Sequence, residues 1–210
     1  CNPNNPTSSA IQTGDMERII RECKKRNIFV MIDETYVEFA PCIEEITAIP
    51  LTKRYDNLMV IRGVSKFYAA PGLRFGYGIT SSEAFLKSLH QHQNPWSLNS
   101  VGAYTGELML KDTDYFRETR ALILSERERM FARLSHMGGY KPYAAYGNFI
   151  LVRILKEGLT SFDVFEAAIK NRLMIRDCSS FESLTGEYIR FCIMNPEDND
   201  RLLHVLNSLI

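Results

Sequence analysis

No apolar run in this 210-residue sequence reaches the roughly 18–20 residues that a membrane-spanning helix needs. There is no surplus of charge either, since 25 Lys and Arg balance 25 Asp and Glu. That argues against nucleic acid as a partner, which calls for a basic face to neutralise phosphates, and against a polybasic membrane patch. Cysteine is sparse and unpatterned. Cys1, Cys23, Cys42, Cys178 and Cys192 are odd in number and contain no C-x-x-C pair. Reduced thiols in a cytoplasmic protein are expected rather than disulfides or a zinc site. Histidine offers no metal site: the side chains of His90 and His92 point apart near a helix end, and His136 and His204 stand alone. No internal repeat, low-complexity tract or targeting signal is present. There is no initiating Met, and the chain opens on Cys1-Asn2-Pro3-Asn4-Asn5-Pro6-Thr7, a turn-rich loop that reads as the middle of something longer.

What is present is ordinary for a globular protein: 45% hydrophobic and 24% charged residues, enough chain for one large or two small domains. Residues 15–27 have helical spacing, with Met16, Ile19, Ile20 and Cys23 on one face. Ile28–Ile32 and Leu58–Ile61 are unbroken apolar runs, the pattern of strands buried on both faces in a parallel sheet. Tyr77–Thr80 is a third strand candidate, and residues 43–48 a further helix. This alternation predicts an α/β fold with a mostly parallel sheet. Helices are expected over 82–92 and, with a break near Lys111–Asp114, over 98–137; the stretch 114–137 is suited to connect two domains. Beyond Gly138-Gly139 the order is strand 148–154, helix 160–172 capped by Thr160 or Ser161, strands 173–175 and 188–194, and a last helix opened by Asn195-Pro196. That order suits a small α+β domain over 138–210.

In an open α/β sheet, ligands bind beyond the carboxyl ends of the strands. Asp33 and Tyr36 follow the first apolar run, Ser65 and Lys66 the second, and Arg74 lies in the next loop; the opening loop adds Asn5. Singly, each has an ordinary reading. Asp33 could be a solvated strand end, Lys66 a surface cation, Arg74 an ion-pair partner, and the glycines near it do not spell G-x-G-x-x-G. Trp96, Phe116, Phe131 and Phe149 read as packing residues.

Taken in order, these residues resemble the pyridoxal-phosphate enzymes of fold type I, the class I and II aminotransferases. Asn2–Thr7 is similar to the family's N-P-x-N-P-T-G loop, with Ser8 where Gly is usual. Asp33-Glu34-Thr35-Tyr36 resembles its D-E-x-Y segment. Ser65-Lys66 followed by Pro71-Gly72-Leu73-Arg74-Phe75-Gly76-Tyr77 resembles its S-K-x-x-x-x-P-G-L-R-x-G-Y signature, and lysine and arginine eight apart in that frame are hard to obtain by chance. The resemblance implies pyridoxal 5′-phosphate as cofactor and gives each residue a role. Lys66 would join the cofactor aldehyde as a Schiff base and, once freed, act as general base at the substrate Cα. Asp33 would keep the pyridine nitrogen protonated, so that the ring is an electron sink. Tyr36 and Asn5 would hydrogen-bond the ring oxygen. Ser65 and Arg74 would bind the cofactor phosphate; Gly63 stands where a further phosphate-binding hydroxyl is common. Arg190, on a late strand, would anchor the substrate carboxylate, and Arg176 would take an anionic group at the far end of the substrate.

Within the family, the threonine-phosphate decarboxylases of cobalamin biosynthesis and the histidinol-phosphate aminotransferases come nearest. Ile175-Arg176-Asp177-Cys178-Ser179-Ser180-Phe181 resembles the decarboxylases' I-R-D-C-S-x-F stretch, and Asn94–Asn99 their P-W-S-x-N segment. The expectation is therefore an enzyme acting on a phosphorylated amino acid, leaning to L-threonine-O-3-phosphate decarboxylase, with the aminotransferase as alternative. A non-catalytic module for dimerisation or regulation is the alternative of another class, disfavoured by the presence of both Lys66 and Asp33. The resemblance also implies a homodimer. Because the family's N-P-x-N-P loop normally follows more than a hundred residues, the chain is expected to be a C-terminal portion: residues 1–113 from a large domain, 114–137 a connecting helix, and 138–210 a complete small domain.

Overall fold

The computed structural model describes residues 1–210. Two compact units emerge, one of Cys1–Pro3 and Ala10–Phe116, the other of Asn4–Ser9 and Arg117–Ile210. The boundaries differ from the expected division. Asn4–Ser9 leave the first block because Ser8 bonds into the second: its oxygen Oγ accepts from the Gly147 amide at 2.8 Å, and its carbonyl accepts from Tyr146 at 2.7 Å. The later boundary falls inside a helix rather than at its start.

The first unit begins with α1 (Thr13–Lys25) and a three-stranded sheet, β1 (Val30–Asp33), β2 (Leu58–Gly63) and β3 (Gly76–Thr80), in the order β1-β2-β3. β1 runs parallel to β2, with Asp33 opposite Ile61; β3 runs antiparallel, with Gly76 opposite Gly63. Met16 and Ile20, one helical turn apart on α1, pack on Ile32, Leu58 and Val60 of the sheet and on Ala48 and Leu51. Burying side chains of this size contributes about 1.5–3 kcal/mol each. Only one face of β1 is closed in this way. Met31 points to the other side and is 55% exposed, so the residues of this chain cover one face of the strand.

Residues 43–48 form turns, not the expected helix, and a short 3-10 helix follows at Ile49–Lys53. The cause is a competing acceptor. The Glu34 carboxylate takes the Ala48 amide and the Thr47 hydroxyl, and Pro50 has no N–H to give. After β3 come α2 (Glu83–His92), capped by Ser82, and α3 (Ser100–Lys111), capped by Asn99. α4 (Thr113–Ser135) then carries the chain into the second unit.

The second unit holds an antiparallel sheet in the order β4-β5-β7-β6, built from β4 (Tyr140–Pro142), β5 (Phe149–Ile154), β6 (Arg176–Asp177) and β7 (Tyr188–Cys192). Two helices belong to it: α5 (Ser161–Lys170), closed by a Thr160–Asp163 capping box, and α6 (Pro196–Asn207), capped by Asn195. Ile150, Val152, Ile189 and Phe191 of the sheet, Val164 and Ala168 of α5, and Leu202 and Leu206 of α6 are buried. Leu173–Ile175 are not a strand. Arg172 takes a left-handed φ of 59°, and the Leu173 amide returns to Ala168 to close α5. The chain reaches the sheet only at Arg176, opposite Arg190. No helix is long and apolar enough to cross a membrane.

Candidate active site

Parallel pairing fixes the first unit's candidate residues. Asp33 ends β1, and Ser65 and Lys66 follow the end of the adjacent strand β2. Because Gly76 opens β3 opposite Gly63, the loop before β3 returns to the same edge and places Arg74 there. Glycine is required at Gly76: a Cβ would lie 2.9 Å from the Arg62 carbonyl oxygen. Asp33, Lys66 and Arg74 are all exposed, and Tyr36 and Ser65 are half-buried.

Each group is held differently. One oxygen of Asp33, Oδ1, accepts the Thr35 amide at 2.8 Å and the Thr35 hydroxyl. The Asp33 carbonyl accepts from the Asn2 amide at 2.8 Å. Asn2 is itself buried and clamps the loop: its side chain donates to the Ile11 and Ile46 carbonyls and accepts from the Ile11 amide. The Lys66 ammonium lies 6.0 Å from the centre of the Tyr36 ring. Its neighbour Phe67 is buried against Phe39 and Phe116, and the Phe67 carbonyl accepts from the Tyr115 hydroxyl at 2.9 Å. The backbone beside the lysine is thus fixed while its side chain projects. Arg74 has left-handed backbone angles, φ 53° and ψ 43°, after the turn Pro71–Leu73, and it donates to the Pro71 carbonyl at 3.0 Å. For a residue with a Cβ that conformation costs roughly 1–2 kcal/mol.

Beneath this edge lies a polar cluster that the sequence reading missed. Glu34 is fully buried. Its carboxylate accepts from the Ala48 amide at 2.6 Å, from the Thr47 hydroxyl at 2.9 Å, and from Nε and Nη2 of Arg62 at 3.0 and 2.8 Å. Burial alone would lower the Arg62 pKa, but the hydrogen bonds and charge of Glu34 outweigh it and hold the guanidinium above its ordinary value. The available signal was a Glu inside D-E-x-Y and an Arg at the end of an apolar strand, which a count of apolar positions passes over.

Asn5, Arg176 and Arg190 belong to the second unit. Arg190, in the middle of β7, lies over the Phe149 ring at 5.1 Å and donates to the side-chain oxygen of Asn5. Arg176 donates to the Ser180 hydroxyl at 3.1 Å and lies 5.7 Å from the Phe181 ring centre. Both arginines line one cavity of about 590 Å³, together with Ser179, Ser180, Phe162 and Met174. The cavity thus combines cations and hydroxyls with an apolar wall. Cys178 is buried nearby in sequence; burial pushes its thiol up to about 11, so it stays protonated at neutral pH. None of the five cysteines is in a disulfide, and no cluster of metal-ligating side chains is present.

The sequence model of the family "Aminotransferase class I and II" matches residues 1–206. The chain is 31% identical over 210 residues to a threonine-phosphate decarboxylase of Salmonella typhimurium, covering 100% of this chain and 56% of that protein. It is 34% identical over 210 residues to a histidinol-phosphate aminotransferase of Thermoanaerobacter pseudethanolicus, again covering 100% and 56%. Among solved structures, the histidinol-phosphate aminotransferase of Clostridium acetobutylicum superposes with a TM-score of 0.92 at 30% identity, over 99% of this chain and 62% of that one. The chain therefore spans little more than half the length of the curated relatives it matches.

Proposed function

From the premise that this chain belongs to the class I and II aminotransferase family, we propose that it carries pyridoxal 5′-phosphate chemistry on a phosphorylated amino acid, as an L-threonine-O-3-phosphate decarboxylase of cobalamin biosynthesis. Enzymes of this family use pyridoxal 5′-phosphate. The donor set on the first unit fits that group: a carboxylate with one oxygen engaged, an exposed amine, and a guanidinium with most of its donors available. Convergence of Asp33, Lys66 and Arg74 on one sheet edge is the observation that carries this reading.

Asp33 holds the ring nitrogen in its protonated state. Arg74 and Ser65 bind the phosphate, Arg74 through a charged fork. Tyr36 orients the ring oxygen, a role that the resemblance of the opening loop to the family's motif also gives to Asn5. Lys66 binds the cofactor through its amine and, when released, moves the proton at the substrate Cα. When bound, the cofactor supplies an electron sink for the bond that breaks at that carbon. Arg190 anchors the substrate carboxylate, and Arg176, with Ser179 and Ser180, takes the phosphate. Two guanidinium groups lining one cavity support a substrate with two anionic ends. The experiment is an assay of the full-length protein with threonine phosphate, and separately with histidinol phosphate plus 2-oxoglutarate. Carbon dioxide released without a keto acid is the expected result. Glutamate formed from histidinol phosphate favours the second reading, a histidinol-phosphate aminotransferase, which the 34% identity to such an enzyme supports. Lys66→Ala is expected to abolish the visible absorption of lysine-bound cofactor; retention of the band would sink the assignment of Lys66.

A second copy of the chain is the proposed partner. Val101, Tyr104 and Leu108 form an exposed apolar stripe at helical spacing on α3, and Trp96, just before it, is 88% exposed. Sedimentation of a dimer is expected, and Tyr104→Glu weakens it. Five cysteines with no disulfide among them accord with a cytoplasmic location.

A further inference from the structure

We propose that Thr35 is the positioning residue for Asp33, turning one carboxylate oxygen away from the cofactor so that the other is presented to it. The inference rests on the pyridoxal-phosphate reading above. An exposed aspartate at a strand end has two nearly free torsions, and its two oxygens are equivalent until something distinguishes them. Here Thr35 distinguishes them. Its amide and its hydroxyl both donate to Oδ1, while Oδ2 accepts no hydrogen bond. The carboxylate plane is thereby set by two donors from one residue, and Oδ2 keeps its lone pairs for another donor.

The parts that hold Thr35 are themselves fixed. Its predecessor Glu34 is anchored by Arg62, Thr47 and Ala48, and the Asp33 carbonyl is tied to Asn2. The backbone amide would make its bond with almost any residue at position 35. The hydroxyl bond needs Thr or Ser. Without it, one of the two donors is lost and the carboxylate can swing about its Cβ–Cγ bond, so that part of the time neither oxygen meets a ring nitrogen squarely. An ordered carboxylate is the cheaper partner, because the cofactor does not have to order it on binding.

The test uses the full-length protein and pyridoxal 5′-phosphate, with affinity read by equilibrium dialysis. Thr35→Val, close in shape but without the hydroxyl, is expected to bind the cofactor about tenfold more weakly, the worth of one charge-assisted hydrogen bond. Thr35→Ser is expected to bind as the wild type does. In an Asp33→Asn background, Thr35→Val is expected to add no further loss, because the group it positions has already been altered. The urea midpoint of the cofactor-free protein is expected to be the same for Thr35→Val and wild type. Unchanged affinity in Thr35→Val, or an equal loss in the Asp33→Asn background, overturns the positioning role. A wild-type protein that takes up no cofactor overturns the functional reading as well, and is distinguished by the behaviour of the wild type alone.

Discussion

Each unit buries a glutamate against an arginine, and the two pairs serve different ends. In the first unit Glu34 is enclosed completely and collects donors from Arg62, Thr47 and the Ala48 amide. In the second, Glu126 of α4 receives a two-pronged bond from Arg129, at 2.9 and 2.7 Å, and a third donor from Asn199 of α6, at 2.7 Å. The Glu126 cluster staples two helices, and Arg129 reaches on to Asp200. The Glu34 cluster staples a loop to a strand end, and the very next residue on each side, Asp33 and Thr35, belongs to the candidate site. The same chemistry is structural support in one place and site geometry in the other, and only the neighbours in sequence decide which.

Glu34→Ala is the strongest way to break that comparison. It leaves the buried Arg62 guanidinium uncompensated, which costs about 3–5 kcal/mol in urea unfolding, and it loosens the backbone of Asp33, so cofactor affinity falls too. Replacing Glu34 by Leu and Arg62 by Met together regains much of the stability but not the affinity. A stability loss under about 1 kcal/mol for Glu34→Ala would make the two clusters equivalent surface features.

Glu126→Gln is expected to cost about 1–3 kcal/mol with no change in cofactor affinity. It also changes the acid limb of stability. The Arg129 hydrogen bonds hold the Glu126 carboxyl below its ordinary 4.5; burial pushes the other way, and Asn199 adds to the lowering. A carboxyl depressed in the folded state contributes fully above about pH 4.5 and loses that contribution as pH falls through the lowered value. Unfolding midpoints measured from pH 7 to pH 3 are therefore expected to fall less steeply in the Gln variant. An identical slope removes Glu126 from the account.

The smallest effect is expected at Ser8. Its φ of 58° is left-handed, which glycine adopts freely. Ser8→Gly relieves roughly 1 kcal/mol of backbone cost and gives up one hydrogen bond of about the same worth, the one Oγ accepts from Gly147. The midpoint of thermal unfolding is expected to move by no more than a few degrees. A large fall would mean that the hydroxyl supports more than the turn.

The sequence showed the strand ends plainly, because an apolar run that stops at Asp33-Glu34, or at Gly63 just before Ser65-Lys66, announces both an element and its edge. It showed the helix start at Asn195, and narrowed the one before α5 to Thr160 or Ser161, for the same reason: caps are local. It did not show that residues 43–48 forgo a helix, since the acceptor that takes the Thr47 hydroxyl and the Ala48 amide is Glu34, 13 and 14 residues earlier in the chain. Nor did it show that Met31 faces outward, because periodicity records which residues are apolar and not whether a partner covers them. The pairing of Arg190 with Asn5 lies across 185 residues and has no local signature at all.

β1 is an outer strand of its sheet, short and running parallel to its neighbour, and its apolar side chain Met31 stands in the open with Ile28 just before it. In colloidal terms this is a sticky seam. A strand edge of that kind templates further strands, and neither lysine nor proline interrupts it from Ile28 to Ile32. The solubility of this 210-residue chain by itself is therefore expected to depend on the segment Ile28–Ile32 as well as on its balanced net charge, and Met31→Lys is expected to raise it.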